Sequence, residues 1–315
     1  MLILLVAALV AGLVLLAFAS EQFVIGASRI ATILRISPVV IGAVVIGFGT
    51  SLPELLVTVI AASRGAADIA VGNAVGSNIA NLTLVLGAGA VVAPLVVRSR
   101  TLVREAPLSA AAVVLLAALL VIQGGLGRVE GVVLVAALVV ALVLLMSWRR
   151  GGEDPLAEDV DMAVGGTAWS PPREVVRLLV GLAGTLAGAQ LLVVGAEGIA
   201  DRAGLSEGFV GLTIVAVGTS LPEFFTAVQA SRRGESDLVV GNVLGSNIFN
   251  SLGIAGLAAL IDPGALADSI TGPAAIAMAV LAVVTWLGMW TRRTLVRWEG
   301  VLLLAAYAAL VPILL

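Results

Sequence analysis

The chain has 315 residues, a mean hydropathy of +1.16, 60% hydrophobic residues and 12% charged ones. A soluble domain carries about 25% charged residues, so a water-soluble fold is excluded and an all-α polytopic membrane protein, with the lipid bilayer as its solvent, is expected. The absence of cysteine and histidine excludes disulfides, thiolate metal sites, the usual zinc ligand and the usual proton relay, and the net charge of −3 gives no reason to expect a nucleic-acid partner.

A helix that crosses a bilayer needs about 20 apolar residues. Such runs fall near 2–26, 38–63, 70–96, 106–122 and 128–147, and again near 174–197, 208–231, 238–261, 272–290 and 299–314. About ten transmembrane helices are predicted. The first run lacks a basic segment before it and its counterpart in the second half is internal, so it reads as a retained helix rather than a signal peptide.

The second run contains Gly49-Thr50-Ser51-Leu52-Pro53-Glu54 in a long apolar setting. A carboxylate at membrane depth is costly and rarely lacks a partner or a task. Pro53 removes a backbone donor and disfavours helix at Leu52. With Gly49 close by, the helix is predicted to break here and free several carbonyls, which membranes tolerate only where the backbone lines a cavity.

The hexapeptide returns as Gly218-Thr219-Ser220-Leu221-Pro222-Glu223, each residue 169 places after its counterpart (Thr219 against Thr50). The same offset joins Asp68 to Asp237, Gly72-Asn73 to Gly241-Asn242, Gly76-Ser77-Asn78-Ile79 to Gly245-Ser246-Asn247-Ile248, and Asn81 to Asn250. An internal repeat governs the fold. The expected organisation is a first five-helix repeat over 1–147, a cytoplasmic linker over 148–173 and a second five-helix repeat over 174–315. The linker carries Glu153, Asp154, Glu158, Asp159 and Asp161 without the ligand spacing of an EF-hand loop, so it reads as a solvated connection.

Loop arginines set the orientation. Fourteen lie in the loops after the odd-numbered helices and only Arg64, Arg128 and Arg202 on the other side, which places both termini outside. Five spans per half is an odd number, so the second half enters the membrane inverted. Inverted repeats with broken helices meeting at the midplane are the pattern of secondary transporters.

Residues three or four apart share a helix face. Glu54 with Ser51, Glu223 with Ser220, Ser77 with Asn81 and Ser246 with Asn250 then collect, with carbonyls around Thr50 and Thr219, into a set made wholly of oxygen donors. Hard cations such as Ca2+ take six to eight such ligands. Two carboxylates in a dry site repel and need a cation or a proton; one divalent ion or two monovalent ones satisfy them equally, and this is the physical basis of exchange. The hydroxyls carry little weight alone, and Gly72, Gly76, Gly241 and Gly245 read as close-packing contacts. Asp68, Asp237, Arg64 and Arg233 read as interfacial anchors, and Glu21, Gln190 and Glu197 as packing or snorkelling residues. A membrane enzyme is not expected. An intramembrane protease would need a nucleophile with a base or an Asp pair at depth, and Asp68 and Asp237 fall near opposite faces.

The GTSLPE segment followed by GNxxGSNxxN, present in both halves, resembles the cation/calcium exchanger superfamily, and within it the prokaryotic sodium/calcium exchangers, over almost the whole chain. The resemblance implies an integral protein of the prokaryotic plasma membrane that exchanges Ca2+ for Na+ by alternating access, with no organic cofactor. Glu54 and Glu223 would bind Ca2+ and share the Na+ sites. Ser51, Ser220, Ser77 and Ser246 match hydroxyl ligands; Thr50, Thr219, Gly47 and Ala216 match carbonyl ligands; Asn81 matches the first-repeat amide. Several members carry Asp where this chain has Asn250, which leaves two carboxylates rather than three ionisable acids and bears on the Na+ stoichiometry and on proton substitution. Ca2+/H+ antiport stands as the alternative because the two glutamates could themselves titrate. The site needs one chain only, so the expected functional unit is a monomer.

Overall fold

The computed structural model describes residues 2–33, 51–97, 99–149 and 170–314. In the first half these form α1 (Leu2–Ile33), α2 (Leu52–Ser63), α3 (Ala67–Val92), α4 (Glu105–Gln123) and α5 (Arg128–Arg149). In the second they form α6 (Pro171–Ala203), α7 (Glu207–Thr219), α8 (Leu221–Arg233), α9 (Ser236–Ile261), α10 (Ile270–Arg292) and α11 (Arg297–Leu314). Among the described residues eight helices are long and apolar enough to cross a membrane, and α7 with α8, bent by 44° where they meet, makes a ninth. The tenth expected span, 38–63, ends in α2; its earlier part lies outside the described residues, as do Gly47, Thr50 and the five linker acids.

Two helices exceed expectation. α1 has 32 residues and α6 has 33. At 1.5 Å per residue each is about 50 Å long, against about 30 Å of hydrocarbon. They therefore cross obliquely or project beyond it, and apolar periodicity, which marks only the buried stretch, gives no sign of the extra length. They pack along their length through glycine. A Cβ on Gly12 would lie 2.7 Å from Leu192 N, and one on Gly26 would lie 2.9 Å from Leu178 N. Rising numbers on one helix meet falling numbers on the other, so the pair is antiparallel. In lipid no hydrophobic force drives helices together, and small residues that admit close backbones do so instead.

The same contacts show the inversion. Gly181 and Gly195 stand 169 places after Gly12 and Gly26 and meet Phe23 and Leu9, the counterparts of Leu192 and Leu178. Gly87 abuts Gly300 as Gly131 abuts Gly256. Two short antiparallel bridges obey the same exchange: β1 (Leu95–Val96) pairs with β4 (Thr294–Leu295), and β2 (Gly125–Leu126) with β3 (Gly264–Ala265). Leu95 opposite Leu295 becomes Leu126 opposite Gly264 when the halves are swapped. The repeat read over the two motifs thus extends from α1 to the start of α11.

α3 and α9 lie at the centre, buried on almost every side, while α5 and α11 turn residues such as Val132, Val139, Val301 and Leu302 outward toward lipid. Asp68 accepts a hydrogen bond from Ala267 N–H at 2.8 Å, and Arg64 pairs with Glu197 at 2.9 Å. Both are helix-end anchors; an ion pair this exposed is worth about 1 kcal/mol at most. Glu21 and Gln190 are exposed, so neither reaches the polar centre.

Candidate ion-binding site

α2 and α8 start with one geometry. Ser51 sits at φ −89, ψ 12 and Ser220 at φ −84, ψ 6, each just ahead of a helix with proline in its first turn. Proline is tolerated there because that N–H has no helical partner. In the second half the break between α7 and α8 falls on Ser220, one residue before the position that matches Leu52. These starts place Glu54 and Glu223 in the first turns of α2 and α8, where the positive end of the helix dipole favours an anion.

Both carboxylates are about 1% exposed, and Ser51, Ser77, Ser220, Ser246, Thr219, Asn81 and Asn250 are buried with them. The halves meet directly. Ser220 donates to Glu54 Oε1 at 3.2 Å, Ser51 donates to Ser246 Oγ at 3.2 Å, and Asn81 Nδ2 donates to Asn247 Oδ1 at 3.1 Å. The Ala216 carbonyl accepts from Ser220 N–H at 3.1 Å and from the Thr219 hydroxyl at 3.2 Å. Ser77 and Asn81 precede or open a π-helical turn, Asn81–Val85, and Asn250 lies in another, Phe249–Ile254. Such turns re-aim side chains at functional sites and have no sequence signature.

Many of these buried atoms have no partner among the described residues: Glu54 Oε2, both oxygens of Glu223, Ser77 Oγ, Asn78 Oδ1, Asn81 Oδ1 and both ends of the Asn250 amide. A buried polar atom left so costs about 1–3 kcal/mol, more if charged. Seven are oxygens from both halves, the donor set of a hard cation. Among the described residues no place gathers three or more carboxylates, so two acids carry the charge.

Three of the cross-repeat bonds have counterparts that are not made among the described residues. Ser51→Ser246 maps to Ser220→Ser77, Ser220→Glu54 to Ser51→Glu223, and Asn81→Asn247 to Asn250→Asn78 when each number moves by 169. The receiving atoms Ser77 Oγ, Asn78 Oδ1 and both Glu223 oxygens are all without partners among the described residues. The two halves therefore hold different hydrogen-bond states of one repeated motif.

Four further groups belong here that motif reading left aside. Asn73 Nδ2 donates to the Glu54 carbonyl at 3.2 Å and to Thr58 Oγ1 at 3.0 Å, and Asn78 Nδ2 donates to Ser251 Oγ at 2.8 Å. Asn73 and Asn78 are in the repeated GN and GSN segments, which was a usable signal. Thr58 and Ser251 are not, because their counterparts are Ala227 and Leu82. A cavity of about 120 Å3, lined by Ala80, Leu84, Val217 and Phe224, touches the site at Ser220. Phe224 also lines a cleft of about 450 Å3 that ends at Gln229 and Arg232.

A family model described as sodium/calcium exchanger protein matches residues 4–147 and 174–315. The chain belongs to the sodium/calcium exchanger family. This exchanger is 41% identical over 303 residues to the putative antiporter CaxA of Alkalimonas amylolytica, covering 94% of each chain. It is 29% identical over 351 residues to the sodium/calcium exchanger MaX1 of Methanosarcina acetivorans, covering 97% of each. It superposes on the solved sodium-calcium exchanger NCX_Mj soaked with 10 mM Na+ and 10 mM Sr2+ with a TM-score of 0.67, at 32% identity and over 99% of each chain. The exchanger is a transporter rather than an enzyme. It is an all-helical membrane protein of two inverted repeats, and its family carries out cation/calcium antiport with Ca2+ and Na+ as substrates.

Proposed function

We propose that the protein moves Ca2+ against Na+ by alternating access, with both ions using one midplane site. Glu54 and Glu223 supply the charge. Ser51, Ser77, Ser220, Ser246, Asn81 and Asn250 supply side-chain oxygens, and Gly47, Thr50, Ala216 and Thr219 supply carbonyls. The observation that carries this reading is the set of buried oxygens, without partners among the described residues, contributed by both halves around two carboxylates. One Ca2+ balances two carboxylates, and so do two Na+, so either load neutralises the dry site and neither can share it fully with the other.

The unequal hydrogen bonding supports the alternating-access part. A serine hydroxyl has one proton to give. Ser51 gives it to Ser246 and Ser220 to Glu54. If the halves exchange conformations, as inverted repeats do when access switches sides, Ser51 donates to Glu223 and Ser220 to Ser77. The opposite state then differs by a trade of bonds of equal kind, which keeps the two states close in energy. The cleft reaching Phe224 from the Arg232 end suits a route open on one side.

The counter-ion is tested in proteoliposomes loaded with 45Ca2+-free buffer. An outward Na+ gradient at equal pH is expected to drive 45Ca2+ uptake, and a pH gradient without Na+ is expected to drive none. Uptake driven by the pH gradient alone would replace Na+ with H+ as the coupling ion.

The halves 1–147 and 174–315, joined by the 148–173 linker, form the working unit within one chain, placed in the prokaryotic plasma membrane with both termini outside. The arginine distribution supports that orientation. Because the chain has no cysteine, Leu315→Cys gives a unique label. An impermeant maleimide added to intact cells is expected to reach it; labelling only after lysis would reverse the topology.

A further inference from the structure

We propose that Asn73 is a positioning residue that sets the ion site from behind: it anchors the main chain of Glu54 and draws the Thr219 hydroxyl away from the Ala216 carbonyl. The inference rests on the ion-site reading above, since it takes Ala216 O as an ion ligand.

Asn73 is fully buried in α3. Both its N–H groups are committed, one to the Glu54 carbonyl and one to Thr58 Oγ1, and its Oδ1 accepts from the Thr219 hydroxyl at 3.1 Å. These contacts close a ring. From the Glu54 main chain it runs through Asn73 to Thr219 of the other half, along the chain to Ser220, and from the Ser220 hydroxyl back to the Glu54 carboxylate. The carboxylate is thereby fixed relative to its own backbone through the opposite repeat. Asn73 has no free donor to offer the ion or its hydration water, so it acts through its neighbours.

The Thr219 hydroxyl is the adjustable member. Its single proton lies within reach of Asn73 Oδ1 at 3.1 Å and of Ala216 O at 3.2 Å. Ala216 O already accepts from Ser220 N–H. A carbonyl has two lone pairs, so a hydroxyl settled on Ala216 O fills the second one and removes it as a ligand. A hydroxyl settled on Asn73 leaves it for the ion. Thr58, which holds the Asn73 amide by accepting its N–H, itself donates to Ala70 O at 3.2 Å. The counterpart of Thr58 is Ala227, so the Thr58 arm of this hold belongs to the first half alone.

The test compares Ca2+ KM and Vmax for Na+-driven 45Ca2+ uptake in Asn73→Ala, Thr219→Val and the double variant. Losing one such hydrogen-bonded position should raise the Ca2+ KM of Asn73→Ala about tenfold, with Vmax per folded molecule held within about twofold. Thr219→Val keeps the carbonyl and removes the competing hydroxyl. Adding it to Asn73→Ala is therefore expected to return KM to within about threefold of the parent. A double variant as weak as Asn73→Ala or weaker overturns the proposal, as does an unchanged KM with a fall in Vmax alone. Should Asn73→Ala not fold, Thr58→Val, which releases one Asn73 N–H, is expected to raise KM about threefold; an unchanged KM there overturns the proposal too. Glu54→Gln in the same assay separates the two levels. If it transports like the parent, the ion-site reading has failed; if it is inactive while the Asn73 and Thr58 variants keep the parent KM, only the role of Asn73 has.

Discussion

Glu54→Gln and Glu223→Gln are each expected to lower Na+-driven 45Ca2+ uptake by more than about a hundredfold, since 2.8 kcal/mol of lost ion binding is already that factor. Glutamine keeps the volume and one oxygen but removes a unit charge from a site with only two. Between a divalent ion and a carboxylate in contact, even the screened interaction of a protein interior is on the order of several kcal/mol. The fold should survive either change, because Glu54 Oε2 and both Glu223 oxygens have no partner to lose among the described residues. Glu54 Oε1 keeps an acceptor for Ser220 as the amide oxygen. Size-exclusion behaviour and thermal melting in detergent check that, and uptake at the parent rate in either variant would remove that carboxylate from the site.

Gly76→Val is expected to cost the fold about 3 kcal/mol or more, the upper range for forcing atoms into a packed interior. Its Cβ would overlap the Leu212 carbonyl and the Ala216 Cβ, with Leu212 C at 2.7 Å. Two of those three atoms are backbone, so no side-chain rotation relieves the clash. α7 would have to move, and it carries Thr219 to the site. A lower melting temperature together with lost transport is the expected result; a variant with the parent's stability and flux would show that α3 and α7 do not need this contact.

The doubled motif made much of this legible. An offset of 169 residues with an odd number of spans per half implied inversion, and the glycine contacts of α1 with α6 and the two exchanged strand bridges display it. Proline ahead of an acid located the starts of α2 and α8, and the break at Ser220, to within one residue, because proline's constraints are local. Other features had no local cause to read. The π-helical turns at Asn81 and Asn250 are shifts of backbone register that no residue type marks. The extra length of α1 and α6 mixes apolar residues with Ser28, Arg29, Arg173, Asp201 and Arg202, so no continuous apolar run marks it. Thr58 and Ser251 escaped because repetition was the guide and neither repeats. The expectation for Ala216 met a carbonyl that already accepts from Ser220 N–H and lies within reach of the Thr219 hydroxyl, and only the position of Asn73 suggests how it could serve an ion. Of the four glycines read as packing residues, Gly72 and Gly76 press on Gly208, Leu212 and Ala216, whereas a Cβ on Gly241 or Gly245 would meet nothing within 4 Å among the described residues.

Equilibrium binding of 45Ca2+ to the purified protein, titrated with Na+ in the parent, Glu54→Gln and Glu223→Gln, tests the shared site most directly. The expected result is Ca2+ bound by the parent, displaced competitively by Na+, and lost in both variants. Ca2+ binding that persists in both variants, or that Na+ leaves untouched in the parent, would contradict a common site built on these two carboxylates.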